Sequence, residues 1–497
     1  MSAFNNWKVS LLIYKDIRVV RLLILGFSSG LPILLIFSTL SLWLKSAGID
    51  KSTITLFSWA GLAYSFKFLW APVIDKVPIP MLTNKLGHRK GWLIFSQLLL
   101  ITLLIILGFI DPKHNLLFMA IIIVCIGFSS ATQDAIVDTY RIESAPQEFQ
   151  SAMSGIYIVG YRLGMIVAGA GSLFLASFFG GDEQFYNVSA WQKTYIIMAM
   201  LQTIGLLCTL MSPEPHSKRI LLDNHKDSLK LINVFFLSIL AFILIYNLFP
   251  IIKFEDPLIK GLLATSKLLT AFTGMLIVFF LSIKVKYVKN YVIITTFWDP
   301  IKSFIKKYGS IAIVILVIIG LYRIADIVMG VVANLFYSDL GYNLKQIAAI
   351  SKFWGLIATI IGGLLGGVLS SRYNNYSILL LGAILAATTN ILFAILSTLE
   401  PKLLYLIIVI IADNVSAGIA SVAFVAFLSS LTHINFTTSQ YALFTSLMLF
   451  FPKIIGGYSG TIVDGFGYVN FFIATAVMGL PVIALIIAFK GKLYNNR

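Results

Sequence analysis

The sequence predicts an all-α membrane protein of about 14 transmembrane helices, arranged as two six-helix repeats with a two-helix insertion between them. Three observations predict it. Of 497 residues, 59% are hydrophobic and 12% charged, and the mean hydropathy is +0.92; an ordinary soluble protein carries about 25% charged residues. Apolar runs of about 20 residues, each long enough to cross about 30 Å of hydrocarbon, recur from end to end. The alternating segments of roughly ten residues that mark a transmembrane β-barrel do not.

In chain order, six runs come first, at 20–44, 54–75, 91–110, 116–138, 151–178 and 193–212. Two follow at 231–251 and 261–283, and six close the chain at 309–337, 346–370, 375–398, 402–429, 437–462 and 470–490. The expected domains are therefore 1–212, a six-helix bundle; 213–307, polar and basic linkers around a transmembrane hairpin; and 308–497, a second six-helix bundle. The hairpin reads as structural packing, with Lys267 snorkelling to an interface. The halves share a short pattern: "GIDKSTITLFSW" (48–59) resembles "GYNLKQIAAISKFW" (341–354), with Gly48, Ile54 and Ser58 matching Gly341, Ile347 and Ser351 at constant offset. Paired six-helix repeats around a midplane site are an architecture of secondary transporters.

The net charge of +16 does not point to nucleic acid, because the basic residues lie mainly in short loops. Of 37 Lys and Arg residues, 23 fall in the loops on the side of the two termini, 8 on the opposite side and 6 within the apolar runs. The positive-inside rule then places both termini in the cytoplasm. Nothing at the N-terminus reads as a cleaved signal. Cys125 and Cys208 sit in apolar runs and behave as small hydrophobes rather than as a disulfide or metal site. The five histidines lie in or near loops without metal spacing. No phosphate-cradling loop of the ATP-driven pumps is present, and no nucleophile–base pair suggests an enzyme. No cofactor is expected beyond a proton gradient.

Charged residues inside apolar runs carry the functional signal. Each costs about 2.5–3.5 kcal/mol at the bilayer centre on insertion scales, so they ordinarily face protein or a water-filled cavity. They are Lys67, Asp134, Asp138, Arg162, Arg323, Asp326, Lys352, Asp413 and Lys453. Asp134 and Asp138 stand four apart, on one helix face beside Gln133. Arg323 and Asp326 stand three apart, and Asn414 follows Asp413. A carboxylate in a poorly hydrated site can exchange a proton near neutral pH, and arginine suits a solute carboxylate. Gln133 and Asn414 suit amides and hydroxyls, and Trp70, Tyr161 and Trp354 suit sugar faces.

The segments "LILGFSSGLP" (23–32), "FKFLWAPVID" (66–75), "GHRKGW" (87–92), "ATQDAIVDTYR" (131–141), "GYRLGM" (160–165) and "AFVAFL" (423–428) resemble the AmpG-type muropeptide permeases of the major facilitator superfamily. The resemblance spans both halves and is more specific in the first. Eukaryotic acetyl-CoA transporters look like distant relatives. The resemblance implies a major facilitator fold and proton-driven import of anhydromuropeptides (N-acetylglucosamine linked to anhydro-N-acetylmuramic acid, with or without peptide) across a bacterial inner membrane for cell-wall recycling. It carries Gln133, Asp134 and Asp138 over as cavity or coupling residues, with Arg162 as their charged neighbour. It also implies a cytoplasmic gate of Asp75 with Arg89 and Lys90, although "KVPIPMLTNKLGH" separates them further than the superfamily loop does.

The expected function is thus a monomeric proton symporter for muropeptides, with the remaining intramembrane charges lining the solute cavity. The alternatives are another anionic solute, such as acetyl-CoA or a sugar on the same scaffold, and a non-transporting sensor.

Overall fold

The computed structural model describes residues 12–49, 53–54, 57, 61–181, 186–215, 221–222, 225–249, 257–342, 344–456 and 458–495. The described chain is built from helices and their connections. In order, these are α1 (Ile17–Ser46), α2 (the short pieces Leu62–Phe66, Lys67–Leu69 and Ala71–Lys76), α3 (His88–Gly108) and α4 (Leu116–Glu143). Then come α5 (Gln147–Phe178), α6 (Val188–Met211), α7 (His225–Leu248), α8 (Pro257–Lys284) and a short α9 (Asp299–Tyr308). The last set is α10 (Ile311–Leu321 and Ile324–Asp339), α11 (Gly355–Arg372), α12 (Asn375–Leu396), α13 (Leu403–Leu431), α14 (Thr437–Gly456) and α15 (Ser459–Asn495).

Among the described residues, 11 helices are long and apolar enough to cross a membrane. The other three runs expected to span fall short of that standard for reasons visible in the sequence. In α2, a 3₁₀ turn over Lys67–Leu69 precedes Pro72 and breaks the helix into pieces. Only Leu269–Lys284 of α8 is strongly apolar. The first turn of α14 is Thr437, Thr438, Ser439 and Gln440, and Pro452 and Lys453 interrupt its far end.

Helices α1 and α3–α6 pack on one another, as do α10–α15. In the first group the seam between α1 and α5 sets the spacing. Gly26 and Gly30 lie against the carbonyls of Tyr157 and Tyr161, and Gly160 and Gly164 against those of Leu23 and Phe27. No side chain fits there, so the backbones touch, the small-residue packing of membrane helices. The α11–α13 seam repeats this with Gly362 on Val415 and Gly418 on Thr359. Aromatic clusters lock the opposite end: Trp43 of α1 stacks on Trp191 of α6 at 5.8 Å, and Phe336, Phe393 and Phe472 tie α10, α12 and α15 together.

The first helix of each group is broken midway. α1 breaks at Phe37 (φ −115°, ψ −92°) and α10 at Arg323 (φ −98°, ψ 9°). Each then ends at a glycine with positive φ, Gly48 at 80° and Gly341 at 97°. The caps have the same form. The Gly48 N–H bonds the Lys45 carbonyl and the Ile49 N–H the Leu44 carbonyl; the Gly341 N–H bonds Ser338 and the Tyr342 N–H bonds Tyr337. These are Schellman pairs, which favour glycine because only it enters the left-handed region without cost. The sequence match between 48–59 and 341–354 therefore begins at one shared piece of backbone geometry.

The hairpin α7–α8 lies on α2, with Trp70 at 6.4 Å from Phe235 and Phe66 at 6.3 Å from Phe272, ring centre to ring centre. Lys267 does not reach out alone: its ammonium sits 3.9 Å over the Tyr246 ring.

Gly160→Ala should lower stability by about 1–3 kcal/mol, the usual cost of overpacking, because its methyl meets the Leu23 backbone. Gly330→Ala, with nothing within 4 Å of the added carbon, should leave the thermal unfolding midpoint in detergent unchanged or raise it. Equal midpoints for the two variants would show that the α1–α5 seam is not this tight.

Candidate functional site

At the end of the bundle that carries Ile17 and Asn495, called here the terminal end, hydrogen bonds join the two helix groups. The Arg89 side chain is 1% exposed. Its Nη2 lies 2.8 Å from Asp75 Oδ1 and 2.8 Å from Glu143 Oε1, its Nε donates to Glu143 Oε2 at 3.2 Å, and its Nη1 donates to Thr438 Oγ1 at 2.9 Å. One guanidinium thus gathers α2, α4 and α14 around the start of α3. Asp75 in turn caps α14. It accepts the N–H of Ser439 at 2.8 Å and of Thr438 at 3.3 Å, together with the Ser439 hydroxyl. Those N–H groups have no partner within their own helix, and a carboxylate there also meets the positive end of the helix dipole.

A second buried arginine lies beside the first. Arg141, 0% exposed, faces Asp138 Oδ1 at 3.5 Å within α4. It donates to Ser154 of α5 at 2.9 Å, and across to the second group at Ser429 (3.0 Å) and Tyr441 (3.1 Å). Lys67 Nζ lies 4.0 Å from the other Asp138 oxygen. Asp138 therefore sits between two cations from α2 and α4. Asp134, one turn further along α4, is buried, and its Oδ1 has no hydrogen-bond partner among the described residues. Tyr64, Tyr157 and Tyr161 surround it closely enough to feel its charge.

A second charge cluster occupies the break in α10. Arg323 Nε lies 3.0 Å from Asp326 Oδ2, and its Nη1 donates to Ser421 of α13 at 2.9 Å. Asp413 of α13 is near enough for Asp326 and Arg323 to act on it electrostatically. Arg162 of α5 approaches Arg323 from the first group, like charge toward like. It makes no ion pair with a described carboxylate, and its nearest polar contact is the Met165 sulfur at 3.9 Å.

The other expected residues divide. Asp75 and Arg89 meet in spite of the 13 residues between them, because the short helix Leu82–Leu86 turns the chain back. Lys90 is not with them: its ammonium is exposed on the Leu210 carbonyl at 3.2 Å, and its backbone N–H is held by Glu214. Gln133 does not join the aspartates. It points into the first group, donating to Ser28 at 3.2 Å and accepting from Gln202 at 2.8 Å, because one residue along a helix turns a side chain about 100°. Asn414 is likewise an internal tie, accepting from Thr359 at 2.9 Å. Arg162 neighbours Arg323 rather than pairing with Asp134 or Asp138. Lys453 donates to Ser65 of α2 at 2.8 Å, a further tie to the second group. The Lys352 backbone lies in a π-helical stretch, Ala348–Trp354, and its side chain lies outside the described residues. Trp70 is buried, its indole donating to Thr132 at 3.0 Å, whereas Trp354 is exposed beside Phe353.

Sequence reasoning missed Arg141, Glu143 and the Thr438–Ser439 pair. A signal existed for the first two: Arg141 and Glu143 follow Asp138 at the end of an apolar run, where charges beyond one cap have no local use. The polar run "TTSQ" (437–440) marked a helix start, but nothing local showed that its cap comes from Asp75.

With this geometry in view, the comparisons decide the lineage. The model of the Major Facilitator Superfamily matches residues 22–457. The chain belongs to that superfamily. Among curated relatives it is 31% identical over 480 residues to a "Putative transporter AmpG 4" of Rickettsia felis, covering 97% of this chain and 98% of the relative. It is 28% identical over 486 residues to the "Anhydromuropeptide permease" of Escherichia coli, covering 98% and 82%. This places it in the AmpG-type branch of the superfamily. Among solved structures, the proton:xylose symporter XylE aligns with a TM-score of 0.62 at 12% identity over 97% of this chain and 96% of the other. The transporter FucP in its outward conformation aligns at 0.58, with 12% identity, over 95% and 98%. At that identity these two show the fold alone: this chain has the major facilitator fold.

Arg89→Gln leaves Asp75 and Glu143 buried without their cation, which ordinarily costs about 3–5 kcal/mol. The thermal midpoint should fall, and amide exchange over 437–441 should quicken, because the cap on α14 goes with it. Arg89→Lys should fail to restore either, since one ammonium cannot span the two carboxylates and Thr438. Normal exchange in the glutamine variant would overturn the coupling between the arginine and the cap.

Proposed function

We propose that this protein imports anhydromuropeptides by proton symport across a bacterial inner membrane, acting as a monomer with both termini, and hence the terminal end, in the cytoplasm. The names of its relatives support the solute class, and the excess of Lys and Arg in the terminal-side loops supports the orientation. The observation that carries the coupling is the place of Asp138. It holds Lys67 on one side and Arg141 on the other, and Arg141 reaches across to Ser429 and Tyr441.

The cycle follows from this arrangement. With Asp138 ionised, Arg141 is oriented toward the second helix group and the terminal end stays shut. A proton taken up by the Asp134–Asp138 face removes that orienting charge, the ties to Ser429 and Tyr441 loosen, and the groups rock apart at the terminal end. Arg162, without a carboxylate of its own and set against Arg323, offers its fork to a solute carboxylate, for which arginine geometry is suited. A bound anion also relieves the repulsion between the two arginines, so solute binding favours approach of the two groups around it.

In proteoliposomes, radiolabelled disaccharide anhydromuropeptide should accumulate only under an inward proton gradient. Asp134→Asn should abolish gradient-driven uptake while the protein inserts and folds normally. Arg162→Gln should raise the KM for solute about tenfold or more, the scale of one lost charge-assisted contact, with a smaller effect on the maximal rate. Uptake by the asparagine variant at the wild-type rate would remove Asp134 from coupling. Uptake of acetyl-CoA or a simple sugar in place of the muropeptide would keep the cycle and overturn the solute.

A further inference from the structure

A cleft of about 350 Å³ lies outside the solute pathway, between the hairpin α7–α8, α2, α14 and the short helix α9. Its walls are almost wholly apolar. Phe235 and Ile239 come from α7, Met275 and Phe279 from α8, Leu69 from α2 and Phe444 from α14. Leu69, Phe444, Met275 and Phe279 lie within about 15 Å of the terminal end, counted at about 1.5 Å per helical residue from Asp75, Ser439 or Lys284, and Phe235 and Ile239 lie about 15 and about 21 Å along α7 from His225. The mouth is marked by exposed residues, among them Leu276, Phe280, Trp298 and Ile305. An open apolar cleft at this depth faces acyl chains.

The rim differs from the walls. α9, "DPIKSFIKKY", turns Phe304 and Tyr308 inward and sets Ile301 and Ile305 along the cleft, while Lys302 and Lys306 stand exposed one turn apart. Neither lysine has an ion pair or hydrogen bond with any described residue. Lys284 and Lys286 are exposed where α8 leaves the cleft at Ile283. A basic, amphipathic helix beside an exposed tryptophan is the pattern of a helix lying at the headgroup level. The cleft also touches the gate. Ser439 and Gln440 line it, and Gln440 donates to the Pro300 carbonyl at 2.8 Å and to Ser303 at 3.0 Å, so that α9 is bonded to the same turn of α14 that Asp75 caps.

We infer that this cleft binds one anionic glycerophospholipid from the leaflet at the terminal end, its acyl chains between α7, α8 and α14 and its phosphate against Lys302 and Lys306, and that the bound lipid holds the gate shut. Neutral lipids fit the walls equally well, so the lysines on α9 supply the selectivity. The lipid steadies α9, α9 steadies Gln440, and the first turn of α14 keeps its place on Asp75. The inference needs only a membrane-spanning chain and stands whatever the solute is.

The test uses the purified full chain in nanodiscs of phosphatidylcholine, with or without phosphatidylglycerol carrying a photoactivatable acyl chain. Crosslinks should fall in 235–239, 275–283 and 439–444. Native mass spectrometry should show phosphatidylglycerol retained after detergent exchange in preference to phosphatidylcholine. A surface lysine contributes about fivefold to binding an anionic membrane, so the double variant Lys302→Gln/Lys306→Gln should retain the lipid about thirtyfold more weakly. Hydrogen exchange over 437–445 should be slower with phosphatidylglycerol present in the wild type and insensitive to it in the double variant. Because both lysines are exposed, this variant should fold. Equal retention of the two lipids, retention unaffected by the double variant, or crosslinks confined to other faces would each overturn the site. Selective retention without a change in exchange would overturn the link to the gate.

Discussion

A guanidinium buried at the terminal end needs its charge met, and two carboxylates from different helices meet it. Arg89 is held by Asp75 of α2 and Glu143 of α4, and Asp75 spends its remaining lone pairs on the first turn of α14. Desolvation makes any partial version of this arrangement expensive, since removing one member leaves a charge or an open helix end without a partner. Four helices are therefore brought to one point, and that point lies between the two helix groups. The position of α14 at this end follows from a cap supplied by a residue more than 360 positions earlier in the chain.

The bonds within each group and between the groups differ in kind. Inside, the α1–α5 and α11–α13 seams are backbone against backbone, and the far ends are filled with stacked aromatic rings. Such contacts have no alternative partners and keep each group rigid. Between the groups the ties are hydrogen bonds made by Arg89, Arg141, Asp75 and Lys453, together with Gly155 set against Gly363. Polar groups at such an interface can exchange these partners for water or for a solute. A closed state made of exchangeable bonds around rigid bodies is what alternating access requires.

The first helix of each group is interrupted, and the interruption in α10 carries a charge cluster. At Arg323 the helix stops and restarts, so that Asp326 sits in the first turn of the new segment and faces the arginine at its boundary. The sequence showed Arg323 and Asp326 three apart; it did not show that the helix between them is interrupted, nor that Arg162 arrives from α5 with a second positive charge. The hairpin and α9, which belong to neither repeat, lean on α2 and α14, two of the helices that meet at Asp75.

Composition alone determined that this chain crosses a membrane many times, because no soluble packing would tolerate so much apolar surface. The local pattern determined which carboxylates and cations lie within the apolar runs, and the motifs around Trp70, Asp134 and Arg162 determined the family. Helical periodicity was enough to put Asp134 and Asp138 on one face, and glycine at 48 and 341 was enough to mark two equivalent helix ends. Which charges meet was decided only in three dimensions. Gln133 and Asn414 look like cavity residues in the sequence but turn inward, because their direction depends on how each helix is rotated against its neighbours. Arg141 and Glu143 left a local signal at the end of an apolar run. The contacts of Arg141 with Ser429 and Tyr441, of Glu143 with Arg89 and of Asp75 with the start of α14 were illegible, because those partners come from other helices and a long-range contact leaves no periodicity in a single sequence.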